Sequence, residues 1–360
     1  MRGMRKMWTC PICKTANDTY KCSKCDFDKS KDYTRCRTLS ELSEKDRKLP
    51  KKQNLQKNVM MKDRGYDYVF GRKEKRKRIR RITFLSGENT LGLDTWDISE
   101  AQDGSVLAHL KGNFGREKEL FIWADGKITA NKNCSRLFFG YENLEAIEGL
   151  ENLETGLVED MSGMFENCGS LRTLDLSHFD TRQVRDMSRM FEDCQGLEKL
   201  DVSHLDTSQV KDMKYMFAGC ESLEKLDLSH LNTSQVKDMK YMFSYCESLE
   251  KLDLSHMDTS RVESMLSMFN DCEELKELDL SHFDTSQVRD MKYMFADCSN
   301  LERLDISNFE VKQIWTWDME GMFSECDNLE ELDISSFDER KNDSAFLRGL
   351  SIPYDTEVTC

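Results

Sequence analysis

Proline and long apolar stretches are scarce in this chain, which has three prolines among 360 residues. No apolar run approaches the roughly 18 residues that a membrane-spanning helix needs, so the sequence predicts a soluble protein. The basic N-terminus, MRGMRKMWTCPIC, lacks the apolar core of a secretory signal, which predicts a cytoplasmic location. Glycine-rich phosphate loops and zinc-protease motifs are also absent, which argues against the common enzyme classes that carry them.

Charge is divided unevenly along the chain. Residues 1–81 contain 26 Lys and Arg against 10 Asp and Glu, whereas the remainder contains 26 against 57. The run RKEKRKRIRR at 72–81 could bind the phosphates of nucleic acid or of an anionic lipid. The alternative is a linker whose charge offsets the acidic remainder, or docks on it, and the lack of interleaved aromatic residues favours a linker. Residues 37–78 are therefore predicted to form a basic, flexible linker.

Four cysteines near the N-terminus form two C-x2-C pairs that are separated by eight residues: Cys10, Cys13, Cys22 and Cys25. Four thiolates complete the tetrahedral shell of zinc and leave no position open for water, which is typical of a structural site. A redox C-x-x-C would normally be single, and disulfides would need an oxidising compartment. Residues 1–36 are therefore predicted to be a zinc ribbon, with Cys36 as a surplus free thiol.

Seven further cysteines mark an internal repeat, because their spacing is 26 residues five times and then 28. They are Cys168, Cys194, Cys220, Cys246, Cys272, Cys298 and Cys326. A unit of this length has no core of its own, so successive units must bury one another. Tyr141 occupies the cysteine position of a weaker first unit, which indicates that this position packs in the core and binds no metal.

Each unit combines a strand pattern with a helix pattern. The segment LEKLDLS has the L-x-x-L-x-L spacing of leucine-rich repeats, and Val210, Met213 and Met216 then recur at helical spacing. Asp206 or Thr207 could cap such a helix, with a capping-box residue following. The predicted fold class is therefore an α/β solenoid over 134–340, with parallel strands on a concave face and helices opposite.

The flanks of the array are less regular. Residues 79–133 are predicted to be a β-rich N-terminal cap, in which Asp125-Gly126 between LFIWA and KITA signals a hairpin with a type I′ turn. Residues 341–360 are predicted to be a C-terminal cap or tail.

Three segments carry a family resemblance: WDISEAQDGSVLA, GYENLEAIEGLENLETGLVEDMSGMF and the repeated SLEKLDLSHFDTSxVxDMxxMFxxC. Over about residues 80 to 340 they resemble the BspA-like leucine-rich repeat surface proteins of bacteria. The resemblance implies stacked repeats, a place at the cell surface, and adhesion to host or matrix proteins.

Stacking would turn each repeated polar residue into a ladder. One acidic ladder on the concave face consists of Asp175, Asp201, Asp227, Asp253, Asp279, Asp305 and Asp333. It could bind a basic partner or divalent cations, or it could be a solvated surface that lysines partly neutralise. Trp315 and Trp317, in the irregular last unit, are the other candidate partner-binding residues.

A second ladder consists of histidines: His178, His204, His230, His256 and His282. Neighbouring imidazoles could bind a metal or respond to pH, but a turn position is the more common role. Asp, Ser and His all occur in LDLSH, yet a catalytic triad needs one convergent geometry, whereas five equivalent copies indicate architecture.

The predicted function is therefore a non-enzymatic protein-interaction module with structural zinc, whose partner binds the concave face. The alternative is an exported or surface-associated, adhesin-like protein that binds host or matrix proteins, as the resemblance implies.

Overall fold

The computed structural model describes residues 58–62, 68–89, 91, 94–112, 117–337, 340 and 343–359, and two short strands nearer the N-terminus. Those strands, β1 (Trp8–Thr9) and β2 (Ala16–Asn17), pair antiparallel, with Thr9 opposite Ala16. The four predicted zinc ligands lie outside the described residues, as does most of the predicted linker. In the described part, strands predominate and helices are few.

Ahead of the repeats lies a mixed five-stranded sheet. Its strands, with their short neighbours, are β3 (Tyr68–Val69), β4 (Arg72–Lys75), β5 (Ile79–Ser86), β6 (Thr95–Asp97), β7 (Val106–Lys111), β8 (Lys118–Ala124), β9 (Ile128–Thr129), β10 (Ala146–Glu148) and β11 (Leu153–Glu154). The order in the sheet is β10-β5-β8-β7-β6, with β5 parallel to β8 and β10, and β7 antiparallel to both neighbours. One side of β5 is buried through Ile82 and Phe84, as period-two alternation requires.

The hairpin predicted at Asp125-Gly126 is wrong. β8 pairs with β5 and β7, whereas β9 pairs in parallel with β11, so the strands on either side of the turn have different partners. Gly126 has φ 91°, which only glycine adopts easily, and the Asn58 side chain donates to the carbonyls of Asp125 and Lys127. The turn therefore directs the chain out of the sheet and toward the repeats.

The predicted linker is wrong from Tyr68 onward, because the basic run forms β4, a 3-10 turn (Arg76–Arg78) and the start of β5. Arg76 is buried and donates to the carbonyls of Arg136 and Phe139. The other arginines pair with acids of the same chain, namely Arg72 with Asp94, Arg78 with Glu74, Arg80 with Glu117 and Glu145, and Arg81 with Glu148. Internal ion pairs therefore occupy much of the charge that suggested phosphate binding.

Several neighbouring repeat units pair through very short parallel strands, β12 with β13, β14 with β15, and β16 with β17. The strands are β12 (Thr173–Leu174), β13 (Lys199–Leu200), β14 (Lys225–Leu226), β15 (Lys251–Leu252), β16 (Arg303–Asp305) and β17 (Glu331–Asp333). Equivalent residues lie opposite each other, as Leu226 does Leu252, so the register equals the repeat length. Between β15 and β16, a single bridge joins Glu277 to Arg303.

The helix predicted after each strand is wrong, because successive turns stand in its place. Two residues of a typical unit are left-handed, Tyr215 with φ 58° and Gly219 with φ 70°. A left-handed residue ends an α-helix. Asp206 does accept a hydrogen bond from the Ser208 amide, but the motif opens a turn.

The backbone amides of these turns alternate between two kinds of partner. Those of Met213, Tyr215 and Phe217 donate to carbonyls 25 residues later, in the next unit, at 2.9–3.1 Å. Those of Met216 and Ala218 donate to the carbonyl three residues earlier. The three- and four-residue spacing of apolar side chains is thus a property of stacked turns. Their amides donate to carbonyls of the neighbouring unit, whereas the amides inside a helix donate to carbonyls of the same helix.

Like residues form columns inside the stack. One column consists of Phe138, Phe165, Phe191, Phe217, Phe243, Phe269, Phe295 and Phe323, whose neighbouring rings are stacked with centroids 5.2–5.8 Å apart. The repeated cysteines are buried beside it, and the Cys194 thiol, for example, lies 3.2 Å from the Phe165 carbonyl oxygen to which it donates. Burial raises the pKa of this thiol to about 12, so it is a packing group and a poor nucleophile.

The last unit is paired with a C-terminal segment that is not a repeat. This segment contains α1 (Ser344–Gly349), whose first amides Asp343 caps, and β18 (Glu357–Thr359), which extends β17 in parallel. The amides of Gly321 and Phe323 donate to the carbonyls of Gly349 and Leu350. The segment thus provides the strand and the carbonyls that a further unit would provide.

The phenylalanine column predicts a large loss of stability when one ring is removed. We expect Phe243→Ala to lower the free energy of unfolding by about 3–5 kcal/mol, because the ring is fully buried between two like rings. Denaturant titration followed by circular dichroism would measure it. Tyr354→Ala, at a fully exposed ring, is the control and should change little; a loss below about 1 kcal/mol for Phe243→Ala would contradict the role of the column.

Candidate functional site

The side chains that alternate with the inward-facing apolar residues of β12 to β18, and of residues 277–280 between β15 and β16, form what we call the strand face. Leu252 and Leu254 are buried, whereas Lys251 and Asp253 beside them are exposed. All seven aspartates of the predicted acidic ladder lie on this face, one in each unit. The structure therefore brings together the ladder that the repeat predicted.

Each ladder aspartate is held by a local hydrogen bond. One carboxylate oxygen accepts from the backbone amide of the serine two residues later, at 2.8–2.9 Å. Hydrogen bonds from Ser229, through its hydroxyl and its amide, lower the pKa of Asp227, and the same arrangement lowers that of Asp279. The local hydrogen bonds therefore fix the direction of the ladder carboxylates, and they favour the ionised form of Asp227 and Asp279.

The residue two positions before each aspartate changes along the stack. It is lysine in three consecutive units, at Lys199, Lys225 and Lys251. It then becomes Glu277, Arg303 and Glu331, and Arg303 lies 3.5 Å from Glu331. In β18, Glu357 lies opposite Glu331, although Thr359 stands where the units have aspartate. The strand face is thus mixed in charge in its first half and acidic in its second.

An open groove of about 1010 Å³ coincides with the acidic half. Its charged lining residues are Lys251, Asp253, Glu277, Asp279, Arg303, Asp305, Glu331, Asp333 and Glu357. Seven acids therefore face two bases across a space that is large enough for an extended polypeptide. The sequence does contain a signal for this acidic half, since KLDLS becomes ELDLS at 277. The sequence analysis treated the ladder as uniform and therefore did not predict it.

Trp315 and Trp317 are exposed and stack on each other, with ring centroids 5.0 Å apart. They are not among the residues that line the groove. The two sets of predicted partner-binding residues are thus separate features.

The histidine ladder is exposed, on the turn that follows each strand. Across the described part of the chain, no group of three or more His, Cys, Asp or Glu side chains is placed to hold a metal ion. The acidic ladder is included in that statement, so the structure offers no support for a cation site on either ladder. The same described part contains no helix that is both long and apolar enough to cross a membrane.

Comparison with known proteins identifies a family. The family described as "Mycoplasma protein of unknown function, DUF285" matches residues 132–253 and 246–346, which together exceed half of the chain. No curated protein matches the chain. Among solved structures, a "leucine rich cell surface protein" from Faecalibacterium prausnitzii A2-165 is 16% identical, over 71% of this chain and 82% of that chain, with a TM-score of 0.23. A likeness this remote carries no argument about function.

A second acidic cluster, which the sequence interpretation missed, lies among the turns. Burial raises the pKa of Asp271 to about 6, and repulsion from Asp297, Glu273 and Glu247 adds to the shift. Because the ordinary pKa of an aspartate is 3.8, the folded protein binds this proton more tightly than the unfolded chain does. The effect is a loss of stability as pH rises through about 6.

Asp271→Asn should therefore raise the melting temperature at pH 7.5, because the amide removes a poorly solvated charge. The gain should shrink as pH falls from 6 toward 4.5, where the parent carboxyl becomes protonated. Thermal unfolding of both proteins across this range measures the difference. Asparagine also tolerates the left-handed φ of 58° at this position, but that benefit would not depend on pH.

Asp227→Asn is the matched control. Hydrogen bonds from Ser229 lower the pKa of Asp227, so this variant should lose stability at pH 7.5 and lose less at low pH. The turn itself should survive, since Asn232 accepts from the Ser234 amide in the native chain. A pH-independent gain from Asp271→Asn would show that its carboxyl is not responsible.

Proposed function

Because the chain belongs to the DUF285 family, whose description assigns no function, we propose a function from its geometry: a non-enzymatic protein-interaction module. In this proposal residues 134–340 form a leucine-rich repeat solenoid, and the strand face is its binding surface. The partner is a protein with a basic segment, bound in the groove.

One observation supports the proposal above the others. The groove occupies the part of the strand face where lysine gives way to glutamate, at Glu277, Glu331 and Glu357. Charge complementarity speeds association and selects partners, so a groove of net negative charge favours a basic segment. Of the two bases that line the groove, Arg303 is paired with Glu331.

The repetition of LDLSH supports a non-enzymatic role. In successive units the aspartate accepts from a serine amide, at 2.9 Å for both Asp201 and Asp227, and the histidine that follows is exposed. A hydrolytic site needs a nucleophile, a base and an oxyanion pocket that converge once. The same hydrogen bond and the same exposed histidine recur in successive copies, as expected of a structural repeat and not of a single catalytic site.

The groove predicts a variant that loses binding without losing the fold. We expect Asp279→Asn with Asp305→Asn to lower capture of the partner from native lysate about tenfold or more, because two fixed charges leave the groove. The amide oxygen can still accept from the following serine, as Asn232 does. Capture on immobilised full-length chain, quantified by mass spectrometry, measures the loss.

The matched control is Asp201→Asn with Asp227→Asn, which removes the same number of charges from the half that lysines flank. It should retain most of the binding. Equal losses from the two double variants would contradict a site in the groove, and no loss from either would contradict the strand face as the binding surface.

The cellular location has two alternatives. A cytoplasmic location is the prediction from the N-terminal sequence, whereas the resemblance to BspA-like proteins implies the cell surface and an adhesin-like role. Treating intact cells with added protease distinguishes the two locations, because the protease would degrade the protein only if it lies at the cell surface.

We also propose that Cys10, Cys13, Cys22 and Cys25 bind one structural zinc ion. The antiparallel pair of β1 and β2 supports this, because Thr9 directly precedes Cys10 and Ala16 follows shortly after Cys13 in the chain. Four thiolates would close the coordination shell, which suits a structural role.

Metal analysis of the purified chain should find one zinc per molecule. Cys22→Ser with Cys25→Ser should abolish zinc retention, because a site with two thiolates binds far more weakly. Cys36→Ser is the control and should retain the metal. Zinc lost equally from both variants, or absent from the parent, would contradict the ribbon.

A further inference from the structure

The tryptophan pair is the largest aromatic surface that the described part of the molecule presents to solvent. Trp315 is 64% exposed and Trp317 is 58% exposed, and their rings are parallel to within 4°. Because the two rings cover one face of each other, an outer face of each indole is left for a further contact. Exposed tryptophan is costly in water and is enriched where proteins bind partners.

The backbone that carries the pair is firmly held. The Gln313 side chain donates to three carbonyls, those of Thr285, Val288 and Glu310. Arg340 donates to the carbonyls of the same segment, and Lys292 pairs with Asp318 at 3.1 Å. A surface fixed in this way loses little entropy when a ligand binds.

Arginines of the chain itself cover several of its other aromatic rings. The Arg72 guanidinium lies 4.5 Å from the centre of the Trp96 ring, and Arg189 lies 4.0 Å from that of Tyr215. Among the described residues, no cation lies over Trp315 or Trp317. Within the described part of the chain, these two indoles, which belong to the side-chain type that binds cations best, are therefore left uncovered.

The surrounding charge decides which kind of ligand fits. Beyond residue 81 the chain has 57 acids against 26 bases, and the exposed charged residues on either side of the pair in sequence are Glu310, Lys312 and Glu320. A phosphate-bearing ligand would be repelled, whereas a cation would be attracted. A planar guanidinium is also less strongly hydrated than an ammonium and stacks on aromatic faces, which favours arginine over lysine.

We infer that Trp315 and Trp317 form a binding site for an arginine side chain of a partner polypeptide, stacked on the outer face of an indole. The site is separate from the groove, and this inference does not depend on the function proposed there.

The test uses the full-length chain and three peptides that differ only in the side chain: Gly-Arg repeated three times, the lysine version, and the version with neutral citrulline. Calorimetry and tryptophan fluorescence measure affinity at physiological salt. We expect the arginine peptide to bind about fivefold or more tighter than the lysine peptide, with the citrulline peptide weakest.

Trp315→Ala with Trp317→Ala should reduce the arginine-to-lysine ratio to about one. Tyr354→Ala, which removes another exposed ring, should leave the ratio unchanged, and so should Asp279→Asn with Asp305→Asn, which alters the separate groove. Trp315→Phe with Trp317→Phe keeps the aromatic faces and should retain part of the preference, so a misfolded alanine variant would not end the test.

Equal affinity for the arginine and lysine peptides would overturn the inference. So would an arginine preference that survives in a folded variant without the two indoles. Quenching of the tryptophan fluorescence by neutral oligosaccharides, with no response to the arginine peptide, would also overturn it, because the tryptophan pair would then be a sugar-binding site.

Discussion

The exchange of backbone hydrogen bonds between neighbouring units is the constraint on which the array depends. The amides of Met213, Tyr215 and Phe217 have their partners in the next unit and not in their own. A single unit would therefore leave these buried donors without acceptors, at a cost of roughly 1–3 kcal/mol each. Stacking must continue until something other than a repeat offers carbonyls, and Gly349 and Leu350 do so.

This exchange determines where side chains lie. Since the register between units equals the repeat length, residues at equivalent positions form columns. A residue in a buried column must then fit the same packing environment in every unit. The phenylalanine rings do so, with neighbouring centroids 5.2–5.8 Å apart. An exposed column multiplies a single charge, so one repeated aspartate becomes a ladder of carboxylates along the strand face.

The same logic explains what the sequence could and could not predict. The sequence predicts the repeat length, the burial of the repeated cysteines and the alternation in LEKLDLS, because each of these depends only on the pattern of side chains. The helix was wrong because Met213 and Met216 have helical spacing in stacked turns too, and the left-handed φ of Tyr215 has no strong signature in that residue type. The hairpin at Gly126 failed because strand pairing with β11, far along the chain, outweighed a local turn signal.

Specificity for a partner in such an array must come from residues that differ from the repeat consensus without disturbing the backbone. Replacing Lys251 by Glu277 at the equivalent position reverses a charge, yet the backbone contacts that pair neighbouring units continue on either side. The last unit shows that even two inserted residues are absorbed, since the Met291 amide still reaches the Asp318 carbonyl at 2.7 Å while Trp315 projects into solvent. Side chains outside the columns of the core can therefore change with little effect on the fold. The groove and the tryptophan pair are both departures of this kind, and each lies where the regular unit alone would give no individual surface.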